Sequence, residues 1–147
     1  MVAACDVYRP RLDAVRARFG IESLYMDYRE LLADPAVDLV CIATPDHHHG
    51  RQAIDAVRAG KDVYCEKPVS WSVWEGRKMV EAAEKYERVV CGGHQSRCSG
   101  SKRNAVARVR AGQLGGDCFM ARALCYKPRA SLGFKEPKDP PNTLDFD

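Results

Sequence analysis

The sequence lacks several features that would assign it to a class at once. It contains no run of about 18 uncharged apolar residues, so we expect no membrane-spanning helix. The seven cysteines form no Cys-x-x-Cys pair, and their odd number argues against a complete disulfide framework. No internal repeat is found. With 147 residues, the chain is predicted to form one ordinary domain and the beginning of a second.

Neither sign of charge dominates. The 23 basic and 20 acidic side chains are interspersed and give a net charge of +3, without the basic stripe that is typical of nucleic-acid-binding proteins. Arg103, Arg108 and Arg110 follow a helical spacing, and we interpret them as a solvated helix face. We therefore expect neither a nucleic acid nor a membrane as partner.

Four of the cysteines lie in apolar, strand-like runs, which predicts small buried side chains in a reducing compartment. The first residues carry no charged segment followed by a long apolar one, so they do not resemble a signal peptide. We expect a cytoplasmic protein. An exported parent is left open, because the N-terminus is predicted to be incomplete.

Short apolar runs alternate with stretches of helical periodicity over residues 1–93, which favours a parallel sheet with crossover helices. Asp27 with Glu30, and Ser72 with Glu75, have the spacing of capping boxes at helix starts. The predicted strands are 2–5, 24–26, 37–43, 62–65 and 89–92, and the predicted helices are 10–19, 27–32, 47–59 and 72–86. Leu12, Val15 and Phe19 should share the apolar face of the first helix, and Gly20 is expected to end it.

The pattern changes after Gly93, and we place a domain boundary near residues 93–100. A helix is predicted over about 101–111 and a longer strand over 117–126. The apolar residues of that strand should share one face: Phe119, Ala121, Ala123 and Cys125. The tail from Pro128 is rich in proline and is expected to be irregular.

Candidate functional residues follow the predicted strands, because ligands of open parallel sheets bind at the carboxyl ends of the strands. Asp6 matches the acid that accepts ribose hydroxyls about 20 residues after a glycine-rich loop. This sequence contains no such loop. Judged by position alone, Asp6 also fits a helix cap or a turn.

The segment 43–49 ends a strand and starts a helix, so its N–H groups could face a phosphate or a nicotinamide ribose. It includes three consecutive histidines, His47, His48 and His49. Consecutive helical side chains point about 100° apart, and no carboxylate or cysteine nearby has ligand spacing. We therefore predict no metal site.

The segment Glu66-Lys67-Pro68 follows the fourth predicted strand. A lysine held between a carboxylate and a rigid proline at a strand end can donate its ammonium protons to a substrate hydroxyl or to a cofactor. The same spacing fits equally well an alternative in which Glu66 and Lys67 are an ordinary pair of exposed loop residues.

Taken together, these segments resemble the Gfo/Idh/MocA oxidoreductases. The resemblance covers nearly the whole chain, and its most specific part is a Glu-Lys-Pro motif following a Thr-Pro motif. The segments that carry it are Asp6-Val7 with Arg11, residues 28–32, 37–45, His49, 59–68 and 110–115. Residues 140–147 also resemble the lead-in to the substrate domain of sugar-directed members.

The resemblance implies NAD as the cofactor. Asp6 favours NAD, while Arg9 and Arg11 beside it leave NADP open. Lys67 is implied to be the catalytic residue, next to both nicotinamide and substrate, and Arg97 is implied to contact the substrate with it. The implied cofactor contacts are Asp6, Thr44, Pro45, His49, Glu66, Pro68 and Gln95.

The implied fold is α/β, with a Rossmann-like parallel sheet that lacks its first strand, followed by the start of an α+β substrate domain. Residues 1–95 would form a partial dinucleotide-binding domain and residues 96–147 the start of the substrate domain. In the strand order 3-2-1-4-5-6 the absent strand lies between the runs 2–5 and 37–43, so we expect a gap or two unpaired edges there.

The implied activity belongs to a full-length parent, an NAD(P)-dependent dehydrogenase that acts by hydride transfer on a hydroxyl of a sugar or cyclitol. The parent is expected to be a homo-oligomer, and its later Asp/His pair is absent from this sequence. Whether this chain alone is an enzyme is left open. Two alternatives remain: a dinucleotide- or sugar-binding module without turnover, and an NAD-dependent redox-type glycosidase.

Overall fold

The structure, a computed structural model, describes residues 1–131 and 133–145. These residues form five β-strands, five α-helices and one 3-10 helix. In chain order the elements are β1 (Ala3–Cys5), α1 (Arg9–Phe19), β2 (Ser23–Tyr25), α2 (Tyr28–Ala33), β3 (Leu39–Ile42), α3 (Asp46–Arg58), β4 (Asp62–Glu66), α4 (Val73–Tyr86), β5 (Val90–Gly93), the 3-10 helix Gln95–Cys98 and α5 (Gly100–Arg110).

The strands form two parallel sheets. β1 pairs with β2, with Ala3 opposite Ser23. β4 lies between β3 and β5, with Val63 opposite both Val40 and Val90. No ladder joins β1 to β3 within the described residues. The predicted α/β class with parallel pairing is confirmed, and the break lies where the sequence analysis places the absent strand.

Several helix ends follow the predicted signals. Gly20 ends α1 in the left-handed region, with a φ of 66°, and its N–H donates to the carbonyl oxygen of Arg16. The Ser72 hydroxyl caps α4 by accepting the N–H of Glu75 at 3.2 Å. The Glu75 carboxylate in turn accepts the N–H of Trp71 at 3.0 Å. This reciprocal pair stabilises the start of α4.

The predicted capping box of α2 forms only in part. The Asp27 carboxylate accepts the N–H of Arg29 at 2.8 Å, and the N–H of Glu30 donates to the backbone oxygen of Asp27. The Arg29 guanidinium also binds the Asp27 carboxylate, and these hydrogen bonds lower the Asp27 pKa. The Asp27 carboxylate thus caps Arg29 rather than Glu30, and the reciprocal bond expected of the Glu30 carboxylate is not formed within the described residues.

The core of the three-stranded sheet lies on one face, beneath α3 and α4. Ile42, Val63 and Cys65 point to this face, where they meet Ala53 and Val57 of α3. Burial of a branched aliphatic side chain contributes about 1.5 to 3 kcal/mol. The remaining buried members of the core are Leu31, Leu32, Val37, Ala56, Met79 and Ala82.

The other face of this sheet is open, which corrects the expectation that the strand cysteines are buried. Cys65 is buried and Cys5 is half-buried, whereas Cys41 and Cys91 are exposed. Cys41 and Cys91 flank Tyr64 in register on the face opposite α3 and α4. A strand points alternate residues to opposite faces, so an apolar run buries only half of its side chains when one face is uncovered.

The predicted apolar face of α1 is also only partly buried. Leu12 is buried and Val15 is half-buried, but Phe19 is 53% exposed. Phe19 is the last residue of α1, and the Arg18 guanidinium lies 5.1 Å from the centre of its ring. The ring therefore contacts a neighbouring cation at the helix end rather than the core.

The predicted strand over residues 117–126 does not form. This segment has no secondary structure, and all of its residues are exposed. A strand needs a neighbour for its backbone N–H and C=O groups, and no element within the described residues supplies one. The residues expected to share a buried face, Phe119, Ala121, Ala123 and Cys125, are instead in contact with solvent.

The chain divides into two compact units. One contains residues 1–93 with residues 140–145, and the other contains His94–Asp139. In the first unit, Leu144 forms an antiparallel bridge with Tyr8, and the N–H of Asp145 donates to the Val7 oxygen at 3.0 Å. Phe146 and Asp147, the end of the segment that resembles a substrate-domain lead-in, lie outside the described residues. No helix in the described ranges has the length and apolar character required to span a membrane.

Candidate functional site

Two turns lie side by side at the carboxyl edge of the three-stranded sheet. The first turn contains Thr44 and Pro45, after β3, and the second turn contains Glu66, Lys67 and Pro68, at the end of β4. β3 and β4 are parallel neighbours, with Ile42 opposite Cys65, so the two turns leave the sheet at the same edge. This is the edge where open parallel sheets bind ligands.

The first turn presents the start of α3. Pro45 is the N-cap residue and provides no side-chain hydrogen bond to the first N–H groups of the helix. The Thr44 hydroxyl donates to the Gln52 side-chain oxygen at 2.7 Å, which holds the turn against the next helical turn. An N-terminus without a side-chain cap can offer its N–H groups and its dipole to a phosphate or a ribose hydroxyl.

The second turn presents Lys67. Its N–H donates to the Glu66 carboxylate at 3.2 Å, and the Lys67–Pro68 peptide bond is cis. The Lys67 side chain is exposed, and its ammonium group makes no hydrogen bond or ion pair with the described part of the chain. The ammonium protons are therefore free to bind a hydroxyl or a cofactor.

His49 lies behind the two turns and touches both. One ring nitrogen, Nδ1, lies 2.7 Å from the Pro68 carbonyl oxygen, and the other, Nε2, lies 2.8 Å from the Thr44 carbonyl oxygen. The residue is only 1% exposed. The ring thus joins the turns from inside the protein, and its direct contact with a cofactor stays a prediction.

Gly93 also lies at a strand end, and the sequence analysis assigned it no role. It ends β5 beside the second turn, and a Cβ placed there would lie 3.1 Å from the Cys65 oxygen, the Glu66 Cα and the Tyr64 hydroxyl. Only glycine allows β5 to approach β4 so closely without displacing these atoms. Two consecutive glycines at the end of an apolar run are the signal that could have identified it.

Asp6 follows β1, and both of its carboxylate oxygens have local partners. One oxygen accepts the N–H of Tyr8 at 2.8 Å, and the other lies 3.4 Å from the Arg11 guanidinium. Asp6 therefore fills the role of a turn residue in this structure. Its binding of ribose hydroxyls stays a prediction. The nearby Arg11 is one of the two arginines because of which the sequence analysis did not decide between NAD and NADP.

Gln95 and Arg97 lie in the 3-10 helix, which belongs to the second unit. Both side chains are exposed. Their predicted roles, a cofactor contact for Gln95 and a substrate contact for Arg97, stay predictions.

The thiols near the strand ends are not nucleophiles at neutral pH. Burial, with smaller contributions from Cys41 and Glu66, raises the pKa of Cys65 to about 11. Burial and the carboxylates of Asp27 and Asp6 raise the pKa of Cys5 to about 11. Because the thiolate is the reactive form, neither thiol can attack a substrate carbon at the predicted site.

The three consecutive histidine side chains do not converge on one point. The His47 and His48 rings lie 4.1 Å apart on the surface, while His49 is buried. Partial desolvation and the neighbouring His47 lower the pKa of His48. Over residues 1–131 and 133–145, no group of three or more His, Cys, Asp or Glu side chains is placed to hold a metal ion.

Comparison with known proteins places this geometry in a family. The GFO_IDH_MocA model, which describes an oxidoreductase family with an NAD-binding Rossmann fold, matches residues 1–94. Over 115 residues the chain is 30% identical to the myo-inositol 2-dehydrogenase of Thermotoga maritima and 31% identical to the NAD(+)-dependent scyllo-inositol 2-dehydrogenase of Bacillus subtilis. Each alignment covers 78% of this chain and 34% of the relative.

Solved structures agree with this assignment. The scyllo-inositol dehydrogenase of Lactobacillus casei, solved with NAD(H) and scyllo-inositol, superimposes with a TM-score of 0.73 at 26% identity over 78% of this chain and 34% of that chain. The chain thus spans about a third of the length of these relatives. The match over residues 1–94, together with the parallel strands that end in the two turns, shows that the chain belongs to the Gfo/Idh/MocA family of NAD-binding oxidoreductases.

Proposed function

We propose that this chain forms the cofactor-holding part of an NAD(P)-dependent dehydrogenase that transfers hydride from a carbon bearing a hydroxyl, on a sugar or a cyclitol. The observation that carries the proposal is the position of Lys67. Its side chain is exposed at the carboxyl edge of the sheet, and its ammonium group has no partner within the described residues.

The two turns supply the groups that a dinucleotide requires. N–H groups at the start of α3 and the Thr44 side chain lie at the first turn, and Gly93 allows β5 to lie close beside the second turn. These features fit NAD(H), which supplies the hydride-accepting carbon when it is bound. The inositol dehydrogenases among the relatives favour a cyclitol or sugar as the substrate class.

Lys67 would act on the substrate hydroxyl. As the carbon–hydrogen bond breaks, its hydride would pass to the bound NAD. The hydroxyl would become a carbonyl and lose its proton to a general base, the Asp/His pair that the family resemblance implies. An ammonium group beside that oxygen orients the hydroxyl and stabilises the negative charge that develops on the oxygen. The Glu66 carboxylate accepts the Lys67 backbone N–H and thereby helps to fix the turn from which the side chain extends.

The test uses a completed protein, defined as this chain joined to a glycine-rich loop and a substrate domain. Both parts come from its own gene where the gene encodes them, and otherwise from the Thermotoga maritima relative. In the completed protein, Lys67→Met should lower kcat by about 10²-fold or more, the scale for losing a positioned acid–base or polarising group. Stability should change by less than about 1 kcal/mol, because methionine retains much of the aliphatic stem.

Lys85→Met is the matched control, since Lys85 is an exposed lysine in the last turn of α4. It should leave kcat and melting temperature unchanged. Near-full turnover in the Lys67→Met protein, or loss of its fold together with its activity, would contradict the catalytic role. A completed protein that binds NAD(H) and sugars without turnover would instead be a binding module, and one that cleaves glycosides would be a redox-type glycosidase.

A further inference from the structure

We infer that residues 141–145 form a strap that fixes the loop of residues 6–9 and thereby positions the Asp6 carboxylate for the ribose of NAD. Asp145, whose backbone N–H anchors the strap, is then a positioning residue that acts through Asp6. The contact between strap and loop is read from the structure. Its effect on a cofactor rests on the proposed function and on the predicted contact of Asp6 with the ribose.

The strap pairs with the loop as a short antiparallel strand. A bridge joins Leu144 to Tyr8, and the Leu144 N–H donates to the Pro141 oxygen at 3.0 Å within the strap. The hydrogen bonds that flank the bridge run from the Asp145 N–H to the Val7 oxygen at 3.0 Å and from the Arg9 N–H to the Thr143 oxygen at 3.3 Å. Both bonds join backbone atoms, so the strap fixes the backbone of the loop on each side of Tyr8.

The strap also caps α1. Tyr8 is the N-cap residue of this helix, and its side chain makes no hydrogen bond to the first N–H groups. The first N–H groups of a helix have no partner within the helix itself. Pro10 carries no N–H, and the Arg9 N–H binds the Thr143 oxygen of the strap. The strap therefore stabilises the helix start that directly follows the loop.

The Asp6 carboxylate depends on the loop that the strap fixes. One carboxylate oxygen accepts the N–H of Tyr8 at 2.8 Å, and Tyr8 is the residue that the bridge holds. The Asp6 side chain is still 27% exposed, so the strap holds the carboxylate without covering it. A carboxylate bound to a fixed N–H has fewer accessible rotamers, and it therefore loses less conformational entropy when a ribose binds.

The Asp145 side chain adds a weaker contact at the start of α2. The Asp27 carboxylate, through its hydrogen bond and its charge, raises the pKa of Arg29, and Asp145 contributes a smaller part of this effect. Asp145 and Arg29 are both exposed, and an exposed pair of charges contributes little because water and salt screen it. The backbone N–H of Asp145, rather than its carboxylate, is therefore the main anchor of the strap.

Amide hydrogen exchange of the 147-residue chain, followed by NMR, tests the contact without any cofactor. Asp145→Pro removes the N–H that binds the Val7 oxygen. The Arg9 and Tyr8 amides should then exchange about tenfold faster than in the unchanged chain, because the loop opens more often. Exchange of the Arg9 amide at the rate of an unstructured peptide in the unchanged chain, or equal rates in both chains, would overturn the inference.

Two variants serve as controls for this experiment. Asp145→Ala keeps the backbone N–H and should keep the protection of the loop. Asp139→Pro is the matched control outside the strap, at an exposed residue of the second unit, and should also leave the loop unchanged. The Val63 amide, which donates to the Val89 oxygen at 2.8 Å, should stay protected in every variant. Its loss in Asp145→Pro would place the effect in the whole sheet and contradict the inference.

The effect on the cofactor is measured in the completed protein by fluorescence titration. Asp145→Pro should weaken NAD binding by about fivefold, the scale of one lost backbone hydrogen bond. It should weaken NADP binding less, because only the unphosphorylated ribose offers two hydroxyls to Asp6. Asp145→Ala should bind NAD as the unchanged protein does. A purely structural role of the strap would change the two affinities equally.

A double variant tests whether the strap acts through Asp6. In a protein that already carries Asp6→Ala, Asp145→Pro should cause no further loss of NAD affinity, because the carboxylate that the strap positions is absent. The same fivefold loss in both backgrounds, or tighter NAD binding by Asp145→Pro, would overturn the positioning role. If the completed protein does not bind NAD at all, the proposed function fails, while the exchange measurement still decides whether the strap fixes the loop.

Discussion

Residues 117–126 and the strands β3, β4 and β5 have similar sequence patterns and different structures. Each strand alternates its side chains between two faces, and Ile42 of β3 is 4% exposed beneath α3 and α4. Phe119 belongs to an equally alternating segment but is 92% exposed. The difference is that every strand of the sheet has a hydrogen-bonded neighbour. Alternation of apolar and polar residues determines which face can be buried, but only a neighbouring strand provides hydrogen-bond partners for the backbone N–H and C=O groups.

The largest expected effect compares a large-to-small substitution in each region. Ile42→Ala should lower the free energy of unfolding by about 2 to 5 kcal/mol, because it removes buried methyl groups and leaves a cavity. Phe119→Ala should change it by less than about 0.5 kcal/mol, because the residue is 92% exposed. Urea unfolding followed by circular dichroism measures both. A loss above 1 kcal/mol for Phe119→Ala would show that residues 117–126 do pack against a partner in solution.

The second prediction compares thiols in the same two regions. At about pH 8 the buried Cys65, with a pKa of about 11, holds about 100-fold less thiolate than a thiol with an ordinary pKa of 9.0. Cys125 is exposed in the segment without a strand. Because Cys125 is accessible and the buried Cys65 is almost entirely protonated, Cys125 should react with iodoacetamide much faster than Cys65, as followed by mass spectrometry of the digested chain. Equal rates would mean that Cys65 is not buried beneath α3 and α4 in solution.

Much of the sheet unit could be predicted because its signals are local. Gly20 and Ser72 determine helix ends through their own backbone and side-chain chemistry, and both act as the sequence indicated. Whether one face of a strand or helix is buried depends on which other elements pack against it. For that reason the exposure of Cys41, Cys91 and Phe19 could not be derived from the runs that contain them.

The candidate site could likewise be predicted only in part. The strand ends located the first and second turns, and the structure brings both to one edge of the sheet. The inward orientation of His49 depends on the carbonyl oxygens of Thr44 and Pro68, which come from separate parts of the sequence. Sequence position therefore indicated that His49 belongs to the site, while only the three-dimensional structure shows which atoms it binds.

The smallest expected effect concerns two carboxylates, Asp6 at the end of a paired strand, β1, and Asp117 at the start of the segment without a strand. In the completed protein, Asp6→Ala should weaken NAD binding by about tenfold, the scale of a lost hydrogen bond to a charged group. It should weaken NADP binding less, because only the unphosphorylated ribose offers two hydroxyls to the carboxylate. The same change also releases Arg11, which lies 3.4 Å from Asp6 and could then bind the phosphate of NADP.

Fluorescence titration of Asp6→Ala with both cofactors measures this preference, and Asp117→Ala is the matched control. Asp117 is exposed and follows no strand, so its removal should leave both affinities unchanged. Asp6 also accepts the Tyr8 N–H at 2.8 Å, and loss of this turn contact alone would weaken both cofactors equally. Equal losses for NAD and NADP would therefore limit Asp6 to its structural role. A selective loss for NAD that persists when Arg11 is also changed to alanine would show that the carboxylate contacts the ribose.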